Sequence, residues 1–123
     1  MIQCGIDENT IKEAISSCIL FNNYYILIVV KDKEEFEYYK NKIQNQLSNQ
    51  KKLVYNVHIF KYWLDIQFLN GSYIFLYEVD CICGLRAHKV YYSNKINDRQ
   101  IIDEVIKPQA NLEYKEKNNK ETN

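Results

Sequence analysis

The feature that most constrains this chain is Tyr24-Tyr25-Ile26-Leu27-Ile28-Val29-Val30, seven consecutive apolar residues. The run is too short to cross a bilayer, which takes about 20 residues in a helix. It has no polar alternation and therefore no solvated face. Such a segment suits a strand buried on both sides, the habit of parallel sheets flanked by helices. The rest of the chain must then supply those helices.

Two helices bracket the run. Over residues 7–20, Ile11, Ile15, Cys18 and Ile19 recur at helical spacing, with Asp7 as N-cap and Thr10 three residues later. Over residues 33–48, Phe36, Tyr39, Ile43 and Leu47 form the apolar stripe. Asp32 is placed to cap that helix, with Glu35 at the capping-box position.

Strand material follows from Leu53 to Leu69. Leu64, Ile66 and Phe68 alternate with Asp65 and Gln67, which predicts one buried and one solvated face. Asn70-Gly71 predicts a type I′ hairpin turn, with Tyr73 to Val79 as the return strand. Phe60, Tyr62 and Trp63 are expected to cap the core. Lys89 to Tyr92 reads as a short strand. A last helix is expected over 98–107, with Asn97 as N-cap, Gln100 at the capping-box position and Pro108 as its stop.

The alternating order predicts an α/β fold: a three-layer sandwich with a mostly parallel sheet and an antiparallel hairpin at its edge. Residues 1–108 are expected to form one domain, and 109–123 a polar, disordered tail. At 123 residues, 46% hydrophobic and 26% charged, the chain can bury a real core without disulfides. Sixteen basic residues balance sixteen acidic ones, which argues against a polybasic nucleic-acid binder. The N-terminus has no basic segment followed by an apolar one, so no signal peptide is read, and a cytoplasmic protein without a membrane partner is expected. Cys4, Cys18, Cys81 and Cys83 are expected as free thiols, because a single C-x-C pair lacks the spacing of a zinc site. No metal and no cofactor are expected.

Three stretches carry a resemblance. They are Asp65-Ile66-Gln67-Phe68-Leu69-Asn70-Gly71-Ser72-Tyr73-Ile74, then Gly84-Leu85-Arg86-Ala87-His88-Lys89-Val90-Tyr91-Tyr92, then Ile102-Asp103-Glu104-Val105-Ile106-Lys107-Pro108. Together they resemble the ATPase core of phage terminase large subunits, the motors that package DNA. That family carries an "NGS-I" hairpin, a G-x-R-A/G loop, an acidic strand end and a helix closing near a proline. The resemblance runs over residues 6–108 and implies a P-loop-like fold.

The departures remove the chemistry. A phosphate loop needs glycines and a lysine to hold the phosphates. Gly5-Ile6-Asp7-Glu8-Asn9-Thr10 has one glycine, no lysine and two carboxylates. Ser93-Asn94 stands where the family has its acidic pair, and neither residue can serve as a general base. The expectation is a degenerate core with no ATP hydrolysis and no catalytic residues.

A non-enzymatic phage or prophage binding protein follows, acting through a protein partner, for instance as an inhibitor of a host defence complex such as a CRISPR effector. The alternative is a nucleic-acid-binding accessory of DNA packaging. A small Cys–His enzyme using His88 with Cys81 or Cys83 ranks below both. Gly84, Arg86, His88, Lys89, Ser93 and Asn94 are the expected binding residues, at the carboxyl end of the sheet where α/β folds take ligands. Lys51, Lys52 and Lys61, interleaved with Tyr55, Tyr62 and Trp63, offer a second basic-aromatic surface.

Overall fold

A computed structural model describes residues 1–114. The strands are β1 (Ile2–Cys4), β2 (Tyr25–Val30), β3 (Val54–Ile59), β4 (Trp63–Phe68), β5 (Tyr73–Glu78) and β6 (Lys89–Tyr92). The helices are α1 (Glu8–Leu20) and α2 (Lys33–Leu47), followed by a C-terminal segment opening with α3 (Arg99–Ile101). All six strands form one sheet in the order β1-β6-β2-β5-β4-β3. β1, β6, β2 and β5 pair in parallel, and β5-β4-β3 pair antiparallel.

The apolar run is β2, at the centre, and Ile26 to Val30 are fully buried. Its side chains split by parity. Ile26, Ile28 and Val30 join α1, α2 and the inner residues of β4 and β5 in the larger core. Leu27 and Val29 join Val90, Tyr92, Ile102 and Ile106 in the smaller one. The chain advances across the sheet through α1 and α2 on one face. It returns from β5 to β6 across the other, as a constant crossover hand requires. The architecture is the expected α/β sandwich.

Both long helices start as read. Asp7 Oδ1 accepts from the Thr10 N–H at 2.9 Å, and Thr10 Oγ1 accepts from the Asp7 N–H at 3.2 Å. Asp32 Oδ1 accepts from the Glu35 N–H at 3.0 Å.

Several details differ from the reading. β1 was not anticipated, because three residues give no pattern. The hairpin pairs 63–67 with 73–77, but β3 lies outside it and forms the edge of the sheet. Its turn is not type I′. The Gly71 N–H donates to the Phe68 carbonyl at 3.0 Å, and only Gly71, at φ 86°, is left-handed. This is a three-residue loop, in which a type I turn precedes one left-handed residue.

Phe60 and Tyr62 are exposed rather than capping the core. Asp98, not Asn97, caps the last helix, accepting from the Gln100 and Ile101 N–H groups at 3.0 and 3.3 Å. That helix widens to a π-helix over Ile102–Ile106 and ends as a 3-10 turn over Lys107–Gln109. Pro108 has no N–H to continue an α ladder, and its ring crowds the carbonyl four residues earlier.

Residues 109–114 pack on the domain rather than fray from it. Gln109 and Leu112 exchange backbone bonds with Ala87, and Tyr114 packs on Phe21 and Tyr24. The remainder of the expected tail, 115–123, lies outside the described residues. Among the described residues no helix is long and apolar enough to cross a membrane.

Candidate functional site

The six residues expected to bind do not meet. Strand β6 separates them: Lys89 opens it and Ser93 follows its last residue, so the two groups lie about 13 Å apart at 3.3 Å per residue. His88 and Lys89 belong to the amino end of the parallel strands, and Gly84 and Arg86 to the connection from β5 that returns there. Ser93 and Asn94 belong to the carboxyl end.

Gly84 and Arg86 are exposed, and Arg86 forms no ion pair among the described residues. At the amino end His88 is built into the fold. Its Nδ1 accepts from the Tyr25 N–H at 3.0 Å, its own N–H donates to the Tyr25 carbonyl, and its ring stacks on Tyr24. Lys89 Nζ lies 4.7 Å from the centre of the Tyr91 ring.

At the carboxyl end two adjoining cavities of about 510 and 280 Å³ share Ile6, Tyr38 and Tyr39. Parallel sheets place ligands here, yet the chemistry does not suit an anion. Asp7, Glu8, Glu34 and Glu35 line the space. Hydrogen bonds from Thr10 hold the Asp7 carboxyl below its ordinary pKa. One N–H at each helix start, that of Thr10 or of Glu35, already bonds the capping carboxylate of Asp7 or Asp32, which itself stands where a phosphate would lie.

Glu35, nine-tenths buried, accepts from the Lys31 N–H at 2.8 Å and from the Ser93 hydroxyl at 2.7 Å. Ser93 is thus a tie between β6 and α2, while Asn94 is exposed. Among the described residues two cations line this space, Lys95 and Lys42, and Lys42 pairs with Glu8 at 3.1 Å.

A different surface stands out on the opposite face of the antiparallel strands. The crossover and the C-terminal segment cover β6, β2 and part of β5, and their layer stops there. β3 and β4 are left open on that face. Register places Asn56 and His58 of β3 beside Gln67 and Asp65 of β4, with Trp63 opposite Tyr77 of β5. Aromatic rings run across it. Phe60 stacks on Trp63 at 5.5 Å, Trp63 on Tyr77 at 5.8 Å, and Phe75 on Tyr73 at 5.2 Å.

Asp65 sits among them with its Oδ1 shielded from solvent and accepting no hydrogen bond among the described residues. Burial raises its pKa, against the Tyr77 hydroxyl and the His58 ring, which lower it. Burial, followed by the Asp65 charge, raises Tyr77.

Sequence reading took Asp65 and Gln67 for a plain solvated face and so missed this surface. The signal was present in Tyr73, Phe75 and Tyr77, three aromatic rings at every second position. The second basic-aromatic surface does not come together on one face: Trp63 lies here, Lys51 lines a groove beside α2 on the opposite face, and Lys52, Lys61, Tyr55 and Tyr62 are exposed.

Among the described residues no three His, Cys, Asp or Glu side chains gather as a metal site. The four cysteines are free thiols. Comparison with protein-family models, with curated proteins and with solved structures finds no match.

Proposed function

We propose that the chain is a non-enzymatic binding protein whose partner is another protein, and that the open face of β3, β4 and β5 is its working surface. The observation that carries this reading is the half-buried aromatic row around an unsatisfied Asp65 carboxylate oxygen. Rigid rings give contact area at little entropic cost. A buried acceptor without a donor costs about 1–3 kcal/mol, and a partner's Arg, Lys or backbone N–H would recover it. The resemblance to a packaging ATPase stripped of its nucleotide chemistry supports a role by contact, with a host defence complex as one such target.

Single-stranded nucleic acid could stack on the same rings, but such platforms pair stacking with a positive groove. The strand positions facing this surface are Asn56, His58, Trp63, Asp65, Gln67, Tyr73, Phe75 and Tyr77, with no Lys or Arg. Trp63 is the single tryptophan, so its fluorescence reports on the face directly. Partner capture from host lysate should be lost in Trp63→Ala and Asp65→Ala with the fold intact. Capture unchanged in both variants refutes the assignment. Quenching of Trp63 by oligonucleotides, falling steeply with salt, would favour the nucleic-acid alternative.

A further inference from the structure

We infer that two copies of this chain pair through β3, antiparallel about a two-fold axis at Val57, and join their sheets into one. The inference concerns the strand edge and holds whatever the open face binds.

The edge is guarded only at its start. Sheet edges are normally protected by lysine, proline, an inward charge or a bulge. Val54–Ile59 reads Val-Tyr-Asn-Val-His-Ile, without the first three, and its one register shift lies between Val54 and Asn56, which leaves 56–59 regular. Of ten well-exposed large apolar side chains among the described residues, six fall between Leu53 and Tyr62. Tyr55, Val57 and Ile59 are 66%, 42% and 48% exposed. Leu53, Phe60 and Tyr62 flank the strand at its two ends.

The backbone fixes the register. Phe60 donates its N–H to the Trp63 carbonyl, and His58 lies opposite Asp65, so residues of that parity turn their polar groups toward β4. Val57 and Ile59 turn theirs outward. The Val57 N–H is at present covered by Asn56 Oδ1 at 3.0 Å, a local cap on an exposed side chain that a partner's carbonyl can replace. Setting Val57 opposite Val57 makes a hydrogen-bonded pair. It then sets Asn56 opposite His58, within the regular stretch that follows the register shift between Val54 and Asn56. No like charges meet within these pairs, and each side chain keeps its face.

A groove of about 450 Å³ lined by Leu47, Val54, Val57 and Ile66 runs beside the strand, between β3 and α2. It lies on the face to which Val57 and Ile59 point, so each copy offers the other both apolar side chains and a place for them. That reciprocity is what a two-fold interface demands.

Sedimentation equilibrium on the full chain between about 1 and 100 µM tests the proposal. The expected mass is twice the 14.8 kDa chain at the upper end. A monomer throughout overturns it. Val57→Lys and Val57→Glu should each be monomeric with an unchanged circular dichroism spectrum, and mixing them in equal amounts should restore the dimer. A dimer that persists in both variants, or a mixture that stays monomeric, overturns the edge or the register respectively. Should either variant unfold, Tyr55→Lys, at the most exposed position of the strand, takes its place, and a dimer undiminished there counts against the edge.

Discussion

Asn70 should be worth more to this fold than a turn residue usually is. Its Nδ2 donates to the carbonyls of Cys18, Ile19 and Phe21 at 2.8, 3.3 and 3.1 Å, and its Oδ1 accepts from the Ser72 N–H at 3.0 Å. The first two carbonyls belong to the last turn of α1 and the third follows it, where no intrahelical donor remains. Asn70 therefore caps a helix 50 residues upstream while closing a hairpin. At about 1 kcal/mol net per bond, and with carbonyls left partly buried, Asn70→Ala should cost about 2–3 kcal/mol. For a domain of this size that is a melting-temperature drop of about 8–12 °C. Asn70→Asp discriminates the cause. A carboxylate has no donor and would face three carbonyl oxygens, so it should be worse than alanine. If Asn70 mattered only as a turn former, aspartate would serve as well, since Asp-Gly turns are as common in hairpins. Urea unfolding with an unchanged m-value measures both variants. Stability in the order Asn, Asp, Ala, or a loss below about 0.5 kcal/mol for alanine, would refute the capping argument.

Four further outcomes are expected. Gly71→Val should destabilise by about 1–3 kcal/mol, read by the same urea titration, because φ 86° disfavours a β-branched residue and its Cβ would meet the Asn23 side chain. Burial, followed by the N-terminal ammonium, lowers the His88 pKa below its ordinary 6.5. Its contribution is whole above pH 6.5 and is lost as pH falls from there through the lower folded pKa, because the unfolded chain takes up the proton first. The stability–pH slope below 6.5 should therefore shrink in His88→Gln. Calorimetry with ATP and magnesium should show no binding, and a micromolar dissociation constant would contradict the reading of Asp7 and Asp32, which cap both helix starts with carboxylates. A thiol reagent should label exposed Cys4 and Cys83 in the native protein and Cys18 only on unfolding, since burial pushes the Cys18 thiol up and its Sγ lies 3.5 Å from the Tyr73 carbonyl.

What could be read from the sequence was whatever depends on local pattern. The run at Tyr24–Val30 dictated a doubly buried strand and hence helices on two faces, and Asp7 and Asp32 marked both helix starts. The hairpin was legible from Asn70-Gly71, but its turn type was not. Asn-Gly permits two left-handed residues, whereas docking against α1 holds Asn70 elsewhere so that its amide can reach Cys18. The edge position of β3 was hidden for a related reason. Val54–Ile59 is mostly apolar, with Val54, Tyr55, Val57 and Ile59, a composition that reads as core until the neighbouring strand is known.

The site was less legible because it depends on which elements end where. Placing Arg86 and Ser93 together assumed that a loop entering a strand and a loop leaving it share one end of the sheet. With β5 and β6 parallel, the connection between them must travel the length of the sheet, so His88 lands at the amino end and Ser93 at the carboxyl end. The same connection decides where the second layer stops. The return from β5 to β6 turns back toward β1 and never crosses β4 or β3. A sheet six strands wide with a return over one side of it leaves its antiparallel flank bare. Trp63 and Asp65 are uncovered by topology, and their being half-buried rather than solvated comes from packing beside Phe75 and Tyr77, which themselves rest against the smaller core. That is the condition under which a partner gains most: the rings are already ordered, so contact with them carries little further entropic cost.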